Sequence, residues 1–178
     1  YAEMGIELDV VHHSQFIDEL IQENKIEPQP WIDEDVTFHD PCYLGRHNNE
    51  YDAPRSVLQS VLRDGEIKEM KLSKSNSFCC GAGGGNMWYE IKTGDRINQN
   101  RVKQAVDTKS KTVAAACNFC NIMLEDGVKT TQNEENIRVF DIVGDSVNHQ
   151  QSKWSSLHGV NRISIGFRRG IKAGSDDG

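Results

Sequence analysis

The chain lacks long apolar runs, an excess of basic charge, and any cysteine outside a single constellation. No stretch of 18 apolar residues occurs, so no segment reads as a membrane-spanning helix, and association with a membrane would come through a partner. Lys and Arg number 20 against 27 Asp and Glu, a formal net charge of −7, which argues against a general nucleic-acid binder with its basic patch. No basic, apolar and small-residue leader opens the chain at Tyr1. Five cysteines, an odd number, suit a disulfide framework poorly. Without an export signal they point to a reducing, cytoplasmic setting, where clustered thiols bind metal or do redox work. A length of 178 residues fits one domain, or one domain with a tail, and is enough to bury a core without staples.

What is present centres on Phe78-Cys79-Cys80-Gly81-Ala82-Gly83-Gly84-Gly85. Upstream stands Asp40-Pro41-Cys42 and downstream Cys117-Asn118-Phe119-Cys120, with 36 residues between Cys42 and Cys79 and 36 again between Cys80 and Cys117.

The surrounding pattern alternates strand and helix. Residues 1–40 carry eleven acidic side chains against the single Lys25, most simply a solvated face. Glu7–Val11 reads as a short strand, and Ser14 as the N-cap of a helix over Gln15–Asn24 with Phe16, Ile17, Leu20 and Ile21 inward. Val36–His39 reads as a buried strand that Pro41 ends, leaving Cys42 in the following loop. Asp52 is positioned to cap a helix carrying Pro54 in its first turn, with Val57, Leu58, Val61 and Leu62 inward. Ile67–Leu72 reads as a strand, and Ser73–Ser77 as a polar loop leading to the cysteine pair. Asp95 reads as the cap of a helix ending near Asp107. Thr112–Ala116 has the small and β-branched residues of a central strand crowded on both faces, Asn118–Val128 the pattern of a helix, and Ile137–Phe140 that of a last short strand.

This order predicts an α/β fold with a mainly parallel, Rossmann-like sheet and helices on both faces. The cysteines follow three different strands, so their loops share the carboxyl edge of the sheet, where such folds place ligands. The domain is expected over residues 1–146. Residues 147–178 read as a polar tail, with Ile163, Ile165 and Phe167 able to form an edge strand.

Thiolates are the natural ligands of iron–sulfur clusters and zinc. The C-x-x-C spacing aims Cys117 and Cys120 at one point, and a helix start there would lower their pKa values. Adjacent Cys79 and Cys80 share a centre only if the backbone bends sharply, which Gly81, Gly83, Gly84 and Gly85 allow. The glycine run is no phosphate loop, because Asn86 stands where G-x-G-x-x-G needs its last glycine and no Gly-Lys-Ser/Thr follows. Five thiolates exceed what one zinc ion or one simple cubane takes. His39 and His47 are candidate donors or proton carriers near the site, Arg46 a candidate counter-charge, and Trp88 and Tyr89 packing residues. Three chemistries follow from these residues. An iron–sulfur redox site uses all five cysteines. A zinc-stabilised binding module leaves one free. A metal-free thiol–disulfide enzyme based on Cys117 and Cys120 leaves Cys42 and the CCG run unexplained.

The wording around the cysteines, His-Asp-Pro-Cys-Tyr-Leu-Gly-Arg, Phe-Cys-Cys-Gly-Ala-Gly-Gly-Gly and Ala-Cys-Asn-Phe-Cys, resembles the cysteine-rich CCG domain family over roughly Gly5 to Gly144. That family includes the catalytic subunit of heterodisulfide reductase and iron–sulfur subunits of glycolate and lactate oxidation systems. The resemblance implies a [4Fe–4S] cluster, noncubane in the reductase, with Cys42, Cys79, Cys80, Cys117 and Cys120 mapping onto its ligands; some single modules hold zinc instead. It also implies flavoprotein or ferredoxin-like redox partners and a disulfide or quinone-linked acceptor. Family members usually carry two such modules, so one module here is expected to be a C-terminal portion, which puts autonomous catalysis in doubt.

Overall fold

The computed structural model describes residues 2–5, 7, 9–89 and 93–143. Among these residues four strands form one sheet: β1 (Val36–His39), β2 (Ile67–Lys68), β3 (Thr112–Ala115) and β4 (Arg138–Asp141). Four helices accompany them: α1 (His13–Gln22), α2 (Asp52–Val61), α3 (Ile97–Asp107) and α4 (Asn118–Thr130). The strand order is β2-β1-β3-β4 and every pairing is parallel, with Val36 opposite Thr112, His39 opposite Ala115, and Ala115 opposite Asp141. The fold is therefore the Rossmann-like α/β arrangement that the alternation of elements predicts.

Parallel strands are buried on both faces, and side chains alternate between them. Val36, Phe38, Ala114 and Phe140 face one core with Leu58 and Val61 of α2. Val113 and Ala115 face the other with Val102 and Ala105 of α3 and Leu124 and Val128 of α4. Gly127 lets α3 and α4 close on each other: a Cβ there would stand 2.8 Å from Val102 Cγ2 and 3.0 Å from the Asn98 carbonyl oxygen. No helix among the described residues is long and apolar enough to cross a membrane.

Several local expectations are corrected. Glu7 and Asp9–Val11 form no strand; Val10 is 85% exposed and nothing there pairs with a sheet neighbour. α1 begins two residues before its expected start, because the His12 ring, not Ser14, caps it. His12 Nδ1 accepts from the Ser14 N–H while Gln15 Oε1 accepts from the His12 N–H, a reciprocal capping box. Its expected inward residue Phe16 is half exposed. α2 is capped by Glu50, whose Oε1 accepts from the N–H groups of Asp52 (3.1 Å) and Ala53 (2.9 Å), and not by Asp52. α3 starts at Ile97 without a side-chain cap, and Asp95 pairs instead with Lys103 Nζ at 2.6 Å. β2 pairs over two residues only, since the chain then turns to bury Met70 and to offer the Leu72 carbonyl to Arg101. α4 runs two residues past its expected end, and β4 is shifted one residue along. The expected tail and its edge strand lie outside the described residues.

Candidate metal centre

Three loops at the carboxyl edge of the sheet carry the cysteines. The first follows β1. Its Asp40 carboxylate takes a bidentate pair from Arg55 of α2 at 2.7 and 3.1 Å, and also accepts the Lys74 N–H at 2.7 Å. Arg55 is shared with Glu69, and its guanidinium lies 5.1 Å from the Phe38 ring centre. Burial of this charge is thus matched by two carboxylates and an aromatic face. Arg46 Nη2 donates to the Ser77 carbonyl at 2.8 Å, and Ser77 Oγ donates to the Asp40 carbonyl at 3.3 Å. These bonds sew the Cys42 loop to the Cys79-Cys80 loop.

The bend needed by the vicinal pair is made at Gly81, whose φ is +94°. A Cβ at Gly81 would meet Ile97 Cβ at 3.2 Å and the Asn98 nitrogen at 3.4 Å, so both conformation and space call for glycine. Its N–H donates to Cys79 Sγ at 3.2 Å. Gly83 and Gly84 sit in an exposed turn over Gly83–Trp88 with open space around them; Gly84 is left-handed at φ +66° and Gly83 is not. The third loop is short: β3 ends at Ala115, and Cys117 is the N-cap of α4, with Cys120 in its first turn.

All five cysteines carry free thiols. Cys80 and Cys120 are buried, and their sulfurs lie with a His39 ring nitrogen inside one group of three ligand atoms, all within 4.8 Å of one another. Hydrogen bonds link Cys79 to Cys80, Cys80 to Cys120, and Cys120 to Cys117. Cys42 lines one pocket with Cys79, Cys80, Asp40, Arg46 and Lys74. The thiols are electrostatically graded. Hydrogen bonds from Cys120 and then Cys79 hold Cys80 far below the ordinary thiol value. Cys117 is lowered to about 6, mainly by Cys120 and then by the N–H groups of Cys120 and Phe119 at the start of α4. Cys79 is pushed up by its bond to Cys80 and by burial, and Cys120 by its bonds to Cys117 and Cys80. The shifts thus favour the thiolate at Cys80 and Cys117 and the thiol at Cys79 and Cys120.

Other residues singled out from the sequence are placed less closely. His47 is exposed and packs its ring 5.0 Å from that of Tyr43. Arg46 lines the pocket while its charge remains at the surface. Trp88 and Tyr89 are not packing residues of the core, being 84% and 67% exposed.

The residue that sequence reasoning missed is Arg101. It is fully buried, and its hydrogen bonds among the described residues go to four neutral acceptors: His39 Nδ1 (2.9 Å), the Leu72 carbonyl (2.8 Å), Gln104 Oε1 (2.9 Å) and Ser77 Oγ (3.2 Å). The available signal was its place beside Val102 on the inward face of α3. A buried guanidinium calls for compensating negative charge. Asp40 is the anion whose field acts on it most, followed by the sulfurs of Cys120 and Cys80. A soft, sulfur-rich donor set beside a buried cation fits an anionic thiolate-bound metal or iron–sulfur centre.

Comparison with known proteins agrees with the residue pattern. The family model described as the CCG cysteine-rich domain matches residues 36–125. The chain is 41% identical over 143 residues to a probable iron–sulfur-binding oxidoreductase, FadF, of Bacillus subtilis (strain 168), covering 80% of this chain and 20% of the relative. It is 39% identical over 149 residues to the EtfAB:quinone oxidoreductase of Syntrophomonas wolfei, covering 80% of this chain and 21% of that protein. It is 39% identical over 142 residues to one of the subunits of the dihydromethanophenazine:CoB–CoM heterodisulfide reductase of Methanosarcina barkeri, covering 79% of this chain and 34% of that polypeptide. The chain thus spans about a fifth to a third of the length of these relatives. With the family model matching half the chain and the motif residues converging at one sheet edge, this protein belongs to the cysteine-rich CCG domain family.

Proposed function

We propose that this chain is the iron–sulfur module of an oxidoreductase. In this reading electrons pass between a flavoprotein or ferredoxin-type donor and a disulfide or quinone-linked acceptor, with Cys42, Cys79, Cys80, Cys117 and Cys120 as the residues that would hold a [4Fe–4S] centre. The observation that carries the reading is the gathering of all five thiols, from three loops, at one edge of a parallel sheet. The names of the relatives, iron–sulfur-binding and quinone oxidoreductases and a component of a heterodisulfide reductase, support the redox class. Those names describe much longer proteins, so the donor and acceptor belong to the proposal.

A bound iron–sulfur centre supplies one-electron oxidation and reduction. The chain's own residues do the rest. The lowered pKa values of Cys80 and Cys117 favour their thiolate, ligand-ready forms. The Gly81 N–H donates to Cys79 sulfur, and Arg101 sets a fixed positive charge beside Cys80 and Cys120. The Asp40–Arg55–Lys74 bonds hold the Cys42 loop against the loop before Cys79.

A zinc-stabilised module without redox activity is the second reading. It is favoured by the closeness of the buried Cys80 and Cys120 sulfurs, since four of the five thiolates would complete a tetrahedral zinc site and leave one free. Substitution Cys80→Ser separates the two. The iron–sulfur reading expects loss of the brown visible absorbance and of most bound iron; a full cluster in the variant would refute Cys80 as a ligand.

A further inference from the structure

His39 lies within ligand distance of two cysteines, yet the hydrogen bond on its far side decides what it can do. Arg101 Nε donates to His39 Nδ1 at 2.9 Å, and both side chains are buried. A guanidinium has N–H donors and no acceptor, and it stays charged inside proteins. Nδ1 must therefore present a lone pair, and a neutral imidazole then carries its proton on Nε2. With Nδ1 taken by Arg101, Nε2 is the ring nitrogen left to face Cys80 and Cys120, whose sulfurs lie within 4.8 Å of a His39 ring nitrogen, and it presents an N–H to them. A histidine that ligates a metal needs the opposite arrangement: a bare nitrogen toward the metal and an N–H on the far side, donated to an acceptor. Arg101 excludes that state. Its fork is held in place by three further bonds, to the Leu72 carbonyl, Gln104 Oε1 and Ser77 Oγ, so it cannot turn away without leaving buried donors unpaired.

We propose that Arg101 and His39 are a buried positioning pair in which Arg101 locks the Nε2–H tautomer of His39, and His39 donates to the Cys80 sulfur instead of ligating the metal. Hydrogen bonds and positive charge at cluster sulfur stabilise the reduced, more negative state and raise the reduction potential. The pair is thus a potential-setting device supplied from β1 and α3, outside the cysteine loops. The effect on potential rests on the iron–sulfur reading above; the tautomer and the non-ligand role of His39 do not.

The test uses the full chain reconstituted anaerobically with iron and sulfide, with histidine labelled by ¹⁵N. In the reduced wild-type protein, pulsed electron paramagnetic resonance is expected to show only the weak ¹⁵N coupling of a hydrogen-bonded ring, removed in His39→Leu. A strong, directly coordinated nitrogen coupling lost in that variant would overturn the proposal. Redox titration of His39→Leu and Arg101→Met is expected to lower the ratio of reduced to oxidised cluster at fixed poise about tenfold, a fall of about 59 mV for one electron, with iron and sulfide content unchanged. His39→Gln, which keeps an N–H donor, should return most of the shift. A His39→Leu protein with a full cluster and an unmoved potential would refute the role. Should Arg101→Met fail to fold, or should the wild-type chain bind zinc and no sulfide, the ¹⁵N tautomer of His39 in the metal-free and zinc-bound wild-type protein decides. Protonated Nε2 supports the lock, and protonated Nδ1 defeats it.

Discussion

Cysteine identity and spacing are the most direct chemical statement in the chain, because a thiol has few structural reasons to recur in three separate loops, beside proline in one and glycine in another. The structure adds that the five sulfurs are not equivalent. Cys117 is half-buried with its pKa lowered to about 6, whereas Cys80, whose pKa is also lowered, is buried. In metal-free protein, iodoacetamide should therefore label Cys117 ahead of Cys80 and Cys120 at pH 7. The thiolate is the nucleophile, so the labelling rate should fall as the pH drops through about 6, and peptide mapping across that range checks both the site and the pH dependence. What the sequence did not reveal is Arg101. An arginine inside a helical pattern reads by default as a snorkelling surface residue. Its burial depends on the Leu72 carbonyl, Ser77 and His39 arriving from distant segments, and no local pattern encodes that meeting.

At the scale of elements, the central strands were legible because a run apolar or β-branched on both faces has few other uses. Val36–His39 stands where the pattern placed it, and the strand expected over Thr112–Ala116 ends one residue earlier, at Ala115. Helix starts were less legible, since several polar side chains compete to cap and the winner depends on packing of the preceding turn. For α2 the sequence favours Asp52, while the structure gives both N–H groups to Glu50, which Gln15 of α1 also holds through Glu50 Oε2 at 2.8 Å. Glu50→Ala is therefore expected to destabilise the protein by about 1 kcal/mol in urea unfolding. Asp52→Ala loses only a first-turn charge and should cost about 0.5 kcal/mol or less. The reverse order would return the cap to Asp52. The short β2 and the absent strand at Asp9–Val11 mark the same limit: periodicity nominates a strand, but a partner edge must be free to pair with it.

Across the whole molecule, parallel topology turns separation in sequence into proximity in space. Loops after β1, after β2 and after β3 emerge at one edge, so cysteines with 36 residues between them are gathered without any disulfide to draw them together. The scaffold beneath is complete on both faces, with α2 covering one side and α3 with α4 the other. Function turns on what the gathered thiols hold. Iron, zinc and acid-labile sulfide, measured together on anaerobically purified protein, test this most directly. The iron–sulfur reading predicts about four irons with matching sulfide and little zinc. One zinc with no sulfide would contradict it and leave electron transfer as a property of the longer relatives alone.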